Sequence, residues 1–322
     1  MTVVDESLLK KASDLLNKQP IVLNIYAVLK DSFEIKRLNL TKAAQEQLLV
    51  TYKDSILDNL RYEENEIPIL NLSQADNRRH IIYQYDEEDF PGSLNSLKEL
   101  SQLEAGDIKQ LETEDFIKIE AILIDIGDNQ DQLTLYKNIS SVELIRPDTK
   151  WFGLKDGDTL SVNTDPSIRL TPKFDMMFVN GKLYVFNLKF IERHEAYNKL
   201  MLDKARTECI ALEHLSYVES IDSIKLRLDS EDMPFARKLI KVIRNSPVIN
   251  KNIPNIEIQH FCQNHPVLKK LKFNNTKILL NTKISHDLFL KLLQDDYLYS
   301  LLTGENYEGI AKNIIIEGVT AA

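Results

Sequence analysis

Cysteine is almost missing from this chain: Cys209 and Cys262 are the only two in 322 residues. A pair so widely separated makes neither a disulfide framework nor a cluster of thiolates for structural zinc, and it fits a reducing compartment. Glycine is scarce as well, with nine residues, which leaves little material for a loop that cradles phosphates through its backbone. No G-x-S-x-G, Walker A, H-E-x-x-H or G-x-G-x-x-G pattern occurs, so nucleotide binding and the familiar hydrolase classes lose their anchors. Long apolar runs are absent too. The longest, IVLNIYAVL at 21–29, is interrupted by Asn24 and falls far short of the roughly 20 residues that span a bilayer. The opening MTVVDESLLKK carries Asp5 and Glu6 where a secretory signal would have a basic start and an apolar run, so a cytoplasmic protein is expected.

What is present is a globular composition, 43% hydrophobic and 28% charged, with a formal net charge of -9. Such a chain can bury a core without disulfides or metals, and its length allows two domains. The net charge conceals an uneven distribution. From Asp54 to Asp131 there are 20 acidic and 6 basic residues, a balance of -14, with a dense cluster at Asp86, Glu87, Glu88 and Asp89. From Met233 to Lys283 there are 10 basic residues against Glu257 alone, a balance of +9. Local fields of this kind steer charged partners whatever the overall charge. The competing explanation is that the two faces only solubilise the protein or pair with each other in an oligomer.

The hydrophobic period divides the chain into elements. SLLKKASDLLNK (7–18) has helical spacing, and Gln19-Pro20 ends it because proline disfavours helix in the residue before it. The stretches at 21–30 and 33–40 read as paired strands, and Thr41 caps a long helix with Ala44, Leu48, Leu49, Tyr52, Ile56 and Leu60 on one stripe. Short pieces follow: IPIL, a strand HIIYQY at 80–85, an acidic turn with Pro91-Gly92 and a small helix near LNSLKELSQL. A hairpin is predicted from 116–126 and 132–139. Another is predicted from 173–179 and 182–190 around Asn180-Gly181, residues that accept the positive φ of a tight type I′ turn. From Ile191 the period lengthens, predicting one long helix through about 215 and further helices at 234–246, near 253–262, from Pro266, at 285–294 and at 297–302, with a short strand at 277–281. The expected fold is therefore α+β, a strand-rich mixed N-terminal half followed by a mostly helical C-terminal half. Its domains are expected at 1–150, acidic and mixed, and 151–322, the hairpin plus basic helices. Their boundary is expected near 145–170, where turn residues collect.

Three constellations hold residues capable of chemistry. His260, Cys262 and His265 crowd together in QHFCQNHP, but a structural zinc needs four ligands and no companion pair lies nearby, so no metal and no cofactor is assigned. The hairpin FDMMFVNGKLYVFNLK approaches a nuclease arrangement in which an Asp on one strand and an acidic-x-Lys on the next hold a metal that activates water. Asp175 and Lys189 fit, but the second acidic position is Asn187, a poor Mg²⁺ ligand. A divergent metal-dependent nuclease is thus the alternative reading, and a cross-strand ion pair is the structural one. The third constellation is Arg237, Lys241 and Arg244, spaced to share one helix face with Lys238 at its edge, opposite Phe235, Leu239, Val242 and Ile243. Lys269, Lys270 and Lys272 on the helix predicted from Pro266 extend it. Such a stripe binds phosphates through counterion release without reading bases. Double-stranded DNA is the expected ligand, and charge substitutions at Arg237, Lys241 and Arg244 are expected to spare folding.

The order of FDMMFVNGKLYVFNLKFIE, a long helix, RKLIKVIRNS and the closing LLQDDYLYSLLTGENYEG resembles the KwaB components of the Kiwa anti-phage defence system. The resemblance covers roughly 116–318 and is strongest in Leu292, Leu293, Asp295, Asp296, Leu298, Ser300, Leu301, Thr303 and Tyr307. It implies a cytoplasmic effector that acts with the membrane protein KwaA, binds DNA and interferes with phage replication. It brings no catalytic set, and the expected protein is not an enzyme. Association with a membrane partner is expected through Asp86, Glu87, Glu88 and Asp89, because cytoplasmic loops of membrane proteins are rich in Lys and Arg. Recruitment to the inner membrane and a homodimer or higher homo-oligomer complete the reading.

Overall fold

A computed structural model of the chain describes residues 7–309 apart from 76–78, 104–105, 129–130, 141–142, 146–150, 156–158 and 164–166. The chain forms two compact units, one of Met1–Leu72 with His80–Arg193, the other of Ser73–Arg79 with His194–Ala322.

The first unit begins with α1 (Leu8–Asn17), whose N-terminus is closed by the Ser7 hydroxyl accepting from the Lys10 amide. Strands β1 (Val22–Leu29) and β2 (Ile35–Leu38) form the expected hairpin, and α2 (Lys42–Asn59) follows Thr41, whose hydroxyl accepts from the Ala44 amide. A small ladder of β3 (Arg61–Tyr62) and β4 (Asn65–Glu66) precedes β5 (Ile69–Asn71) and β6 (Ile82–Gln84). After α3 (Asn95–Leu100) come β7 (Ile119–Gly127) and β8 (Gln132–Asn138). Of the turn-rich stretch near 145–170, residues 146–150, 156–158 and 164–166 lie outside the described residues. The rest pairs β9 (Leu144–Ile145) with β12 (Ser167–Ile168), and β10 (Trp151–Lys155) with β11 (Thr159–Asn163). The unit closes with β13 (Met176–Val179), β14 (Lys182–Val185) and α4 (Leu188–Arg193).

Eight strands make one sheet in the order β2-β1-β7-β8-β13-β14-β6-β5, antiparallel except between β5 and β6. Alternation along β1, β7 and β8 sends Leu23, Ile25, Ile122, Ile124, Ile126, Leu133 and Leu135 to one face. There they meet Leu8, Ala12, Leu15 and Leu16 of α1 and Tyr52, Ile56 and Leu60 of the α2 region. The opposite face is covered as well. Tyr136 packs against the Phe190 ring at 5.6 Å and shares a 2.9 Å hydrogen bond with the Ser93 hydroxyl, while Phe178 meets Phe90 edge-on. Double coverage explains why β7 reads IEAILIDIG with almost no alternation.

The turn between β13 and β14 forms as expected, Asn180 and Gly181 both having positive φ, 51° and 73°. Grouping by sequence placed this hairpin with the following helices. Its strands instead lie inside the large sheet, β13 pairing with β8 and β14 with β6. The second strand also stops at Val185, five residues early, because Phe186 and Asn187 both donate backbone hydrogen bonds to the Asp175 carbonyl and turn the chain into α4.

The second unit is mostly helical. The single helix expected from Ile191 is broken into α4, α5 (Glu195–Glu208) and α6 (Ala211–His214). His194 leaves helical geometry and caps α5, its Nδ1 accepting from the Tyr197 amide at 3.3 Å. Next are α7 (Asp222–Asp229), α8 (Met233–Asn245), α9 (Pro247–Asn250) and α10 (Asn255–Asn264). The helix expected from Pro266 is only a 3₁₀ turn at Leu268–Lys270, followed by a hairpin of β15 (Lys272–Asn274) and β16 (Lys277–Leu279). After α11 (Lys283–Leu293), the predicted helix at 297–302 is a hairpin of β17 (Tyr297–Tyr299) and β18 (Asn306–Glu308). Six apolar-rich residues are too few to separate a period of 3.6 from one of 2. Among the described residues no helix is long and apolar enough to cross a membrane.

One carboxylate interrupts the double-sided sheet. Asp125 in β7 is 6% exposed, opposite Asn24 on one side and Thr134 on the other, and accepts a 2.9 Å hydrogen bond from the Thr134 hydroxyl. Burial raises its pKa to about 6, with the Thr134 bond opposing the shift. Because the folded pKa lies above the ordinary carboxylate value, folding takes up a proton between about pH 4 and 6. Stability is therefore highest below pH 4 with respect to this group, declines as pH rises to 6 and carries the full penalty above it. Asp125→Asn should stabilise the protein at pH 7 by up to about 3 kcal/mol, two pKa units at about 1.4 kcal/mol each. The difference from the parent should vanish towards pH 4, as read from urea midpoints across that range.

Candidate nucleic-acid interface

The basic segment supplies two kinds of cation, and the structure separates them. Helix α8 is amphipathic as expected. Phe235, Ala236, Leu239, Ile240 and Val242 are buried, and the Asp232 carboxylate caps the helix by accepting from the Phe235 amide at 3.2 Å. Its charged face is turned inward on the second unit. Arg237 Nη1 donates to Asn198 Oδ1 of α5 at 2.5 Å, and Lys241 Nζ donates to the Ala75 carbonyl at 2.7 Å. Arg244 forks onto Glu208 of α5, with Nε 3.2 Å from each carboxylate oxygen. Lys238 is partly buried, and burial pushes its ammonium below the usual lysine range. These partners come from α5 and from the 73–79 segment, up to 166 residues away, so a search for acids one helical turn along the chain does not find them.

The adjoining Arg227 has a similar role. It pairs with Asp232 at 2.8 Å and Asp287 at 2.9 Å while its guanidinium sits 4.0 Å over the Phe235 ring. It thereby ties α7, the start of α8 and α11 together.

Lys269, Lys270 and Lys272 are arranged differently. All three are exposed, as is Lys277. Register pairs Lys272 with Leu279 and Asn274 with Lys277, so Lys272 and Lys277 share one face of the β15–β16 hairpin. Ile278 is buried on the other face. Among the described residues none of these four lysines makes an ion pair. Asn275 takes the positive φ of the connecting turn, 52°. The Asn274-Asn275-Thr276 stretch was the signal that Lys277 belongs beside Lys272, a residue that helical spacing alone passed over.

The other candidates do not assemble a site. Asp175 Oδ2 accepts from the Asn138 amide at 2.9 Å and Oδ1 from Asn187 Nδ2 at 2.6 Å. Asn187 Oδ1 in turn accepts from the Phe190 amide at the start of α4. Lys189 is exposed on that helix instead of ending a strand beside Asp175, so the expected two-strand nuclease arrangement does not form. In QHFCQNHP, His265 Nδ1 accepts from the Val267 and Leu268 amides, which places the proton on buried Nε2. Burial pushes the Cys262 thiol up to about 12, and His260 is exposed. A protonated thiol and an imidazole whose outer nitrogen carries hydrogen make no ligand set. Among the described residues no group of three or more His, Cys, Asp or Glu side chains is placed to hold a metal. Ser223 lies 2.9 Å from His286 Nε2, but its hydroxyl donates to the Leu280 carbonyl. With that proton committed, His286 must donate to Ser223 and has no base to offer it.

The acidic cluster is divided by burial. Glu87 is buried and Asp86 half-buried just beyond β6, whereas Glu88 and Asp89 are exposed.

Comparisons with known proteins cover most of the chain. A family model described as Kiwa protein KwaB-like matches residues 116–303, which include every lysine of the β15–β16 surface. Kiwa protein KwaB of Escherichia coli O55:H7 (strain RM12579 / EPEC) is 26% identical over 289 residues, covering 88% of this chain and 91% of that protein. No solved structure matches the chain.

The contacts of α8 alter what its substitutions should do. Arg244→Glu places two carboxylates together in a partly buried site and should destabilise the protein by about 1 to 2 kcal/mol. Combining it with Glu208→Arg should recover most of the loss. Thermal melts of the two single variants and the double variant check this, and a double-mutant coupling near zero would show that the pair is not formed.

Proposed function

The chain belongs to the KwaB-like family of Kiwa proteins, and from that premise we propose that it is a non-catalytic DNA-binding effector of anti-phage defence, acting in the cytoplasm with a membrane partner. The observation that carries DNA binding is the group Lys269, Lys270, Lys272 and Lys277, four exposed ammonium groups within nine residues and without ion pairs among the described residues. Ammonium groups of this kind release condensed counterions from a duplex and gain affinity without reading its sequence. Covering phage DNA with such contacts would obstruct the replication machinery. Commitment of Asp175 to Asn138 and Asn187 supports binding in preference to cutting.

Titration of duplex DNA against the protein over a range of salt tests this reading. Log K should fall linearly with log salt, and Lys269→Glu/Lys270→Glu/Lys272→Glu should lower affinity and flatten the slope by about one unit per lost phosphate contact. Equal binding by this variant would remove the surface assignment. Incubation with Mg²⁺ or Mn²⁺ should leave the DNA intact; cutting that disappears in Asp175→Ala would establish the nuclease instead.

The same proposal places the membrane-partner contact on the acidic half. Glu88 and Asp89 are the two members of the acidic cluster open to solvent, and the Lys/Arg-rich cytoplasmic loops of a protein such as KwaA complement them. Glu88→Gln/Asp89→Asn should reduce co-purification with the membrane component, most clearly at low salt. Unchanged recovery at low and high salt alike would place the contact elsewhere.

A further inference from the structure

The β17–β18 hairpin exposes more apolar surface than its size warrants. Its root is fixed: Tyr297 is 6% exposed and its ring lies 4.7 Å from that of buried His265. Beyond the root the packing ends. Leu298 and Tyr307 stand opposite each other on one face, both nearly half exposed. At the tip Leu301 is 93% and Leu302 96% exposed. Two adjacent leucines entirely in water, continuous with an apolar cross-strand pair, mark a surface made to be covered. The exposed charge around them is acidic. Asp295 and Glu305 are exposed, Glu308 is paired with Lys291, Asp296 is buried, and no Lys or Arg lies between Leu292 and Gly309.

That combination selects the occupant. An anionic leaflet repels the acids, and an identical hairpin approaching across a two-fold axis would bring the exposed acids Asp295 and Glu305 of both copies together. The complementary surface is apolar and basic, and the second unit carries one: Phe261 and Val267, 39% and 38% exposed, beside Lys269, Lys270, Lys272 and Lys277. We propose that the β17–β18 hairpin of one copy docks on the lysine surface of a second copy, a head-to-tail contact that uses a different patch on each chain. The inference rests in part on the reading of those lysines as an open cationic surface. It adds regulation, because a lysine surface covered by a neighbour's hairpin is withheld from DNA.

Sedimentation velocity of the full chain at about 100 µM in about 50 mM salt, a concentration that populates contacts of micromolar Kd, provides the test. The parent should associate, and about 500 mM salt should shift it towards monomer. Leu301→Asp/Leu302→Ser, at positions that support no packing, should be monomeric. Lys269→Glu/Lys270→Glu should be monomeric as well. Mixed in equal amounts, the two variants should form a dimer again, since each retains the surface the other lacks. A monomeric parent, association of either variant equal to that of the parent, or a mixture that stays monomeric would each overturn the proposal. An isologous hairpin contact would show as association of the lysine variant, and a hairpin covered by another part of its own chain as a monomeric parent. Duplex DNA should bind the monomeric leucine variant at least as tightly as the parent. If that variant fails to bind DNA while the mixture still dimerises, the DNA reading fails and the assembly stands.

Discussion

Strands β7 and β8 run through the middle of an eight-stranded sheet with side chains buried above and below it, so neither can give alternate positions to water. That constraint sets the composition of the first unit. The residues Ala121 to Ile126 are buried at every position, helices α1 and α2 supply Leu16, Tyr52 and Ile56 to one face, and Ser93 and Phe190 close over Tyr136 on the other. It also gives Asp125 its significance: a carboxylate admitted to such a strand must stay close to a donor, here Thr134, and still titrates near neutrality. The Asp175–Asn187 corner follows from the same geometry, because the ends of β8 and β14 leave backbone amides, Asn138, Phe186 and Asn187, that Asp175 satisfies.

In the second unit, partly buried charge pairs add to the apolar packing of Met201, Leu228, Phe235, Leu239 and Phe289. Arg227 links three helices through two carboxylates and an aromatic face, and Arg244 joins α8 to α5 through Glu208. Short helices bury narrow stripes, so partly buried ion pairs set how they cross. The outcome is a division within one run of positive charge. Cations on α8 are consumed by the fold, and those after His265 stand on a turn and a small hairpin anchored by buried Leu268, Leu271 and Ile278. Surface available to a polyanion is concentrated there.

The acid-rich, leucine-tipped β17–β18 hairpin and the lysine surface are each unusual alone, and their chemistry is mutually complementary. The family match spans the lysine surface and, in the hairpin, β17 and the two tip leucines, ending at Thr303 before β18. On the proposed reading, assembly withholds the lysine surface and dissociation is the releasing step.

Much of this protein was determined by local sequence alone. Thr41 and Ser7 cap the helices they precede, Asn180-Gly181 makes its turn, β1, β2, β7 and β8 lie where period and composition put them, and the split between a strand-rich half and a helical half holds. Each of these depends on residues within a few positions of one another, where backbone φ preference and side-chain period act directly. The sheet order, the capture of the β13–β14 hairpin by β8 and β6, and the identity of the cations left free were decided only by tertiary structure. Arg244 and Lys270 are equally basic as letters in a chain. One meets Glu208 from a helix 36 residues away and the other meets water, and that difference exists only once distant segments have been brought within hydrogen-bonding distance.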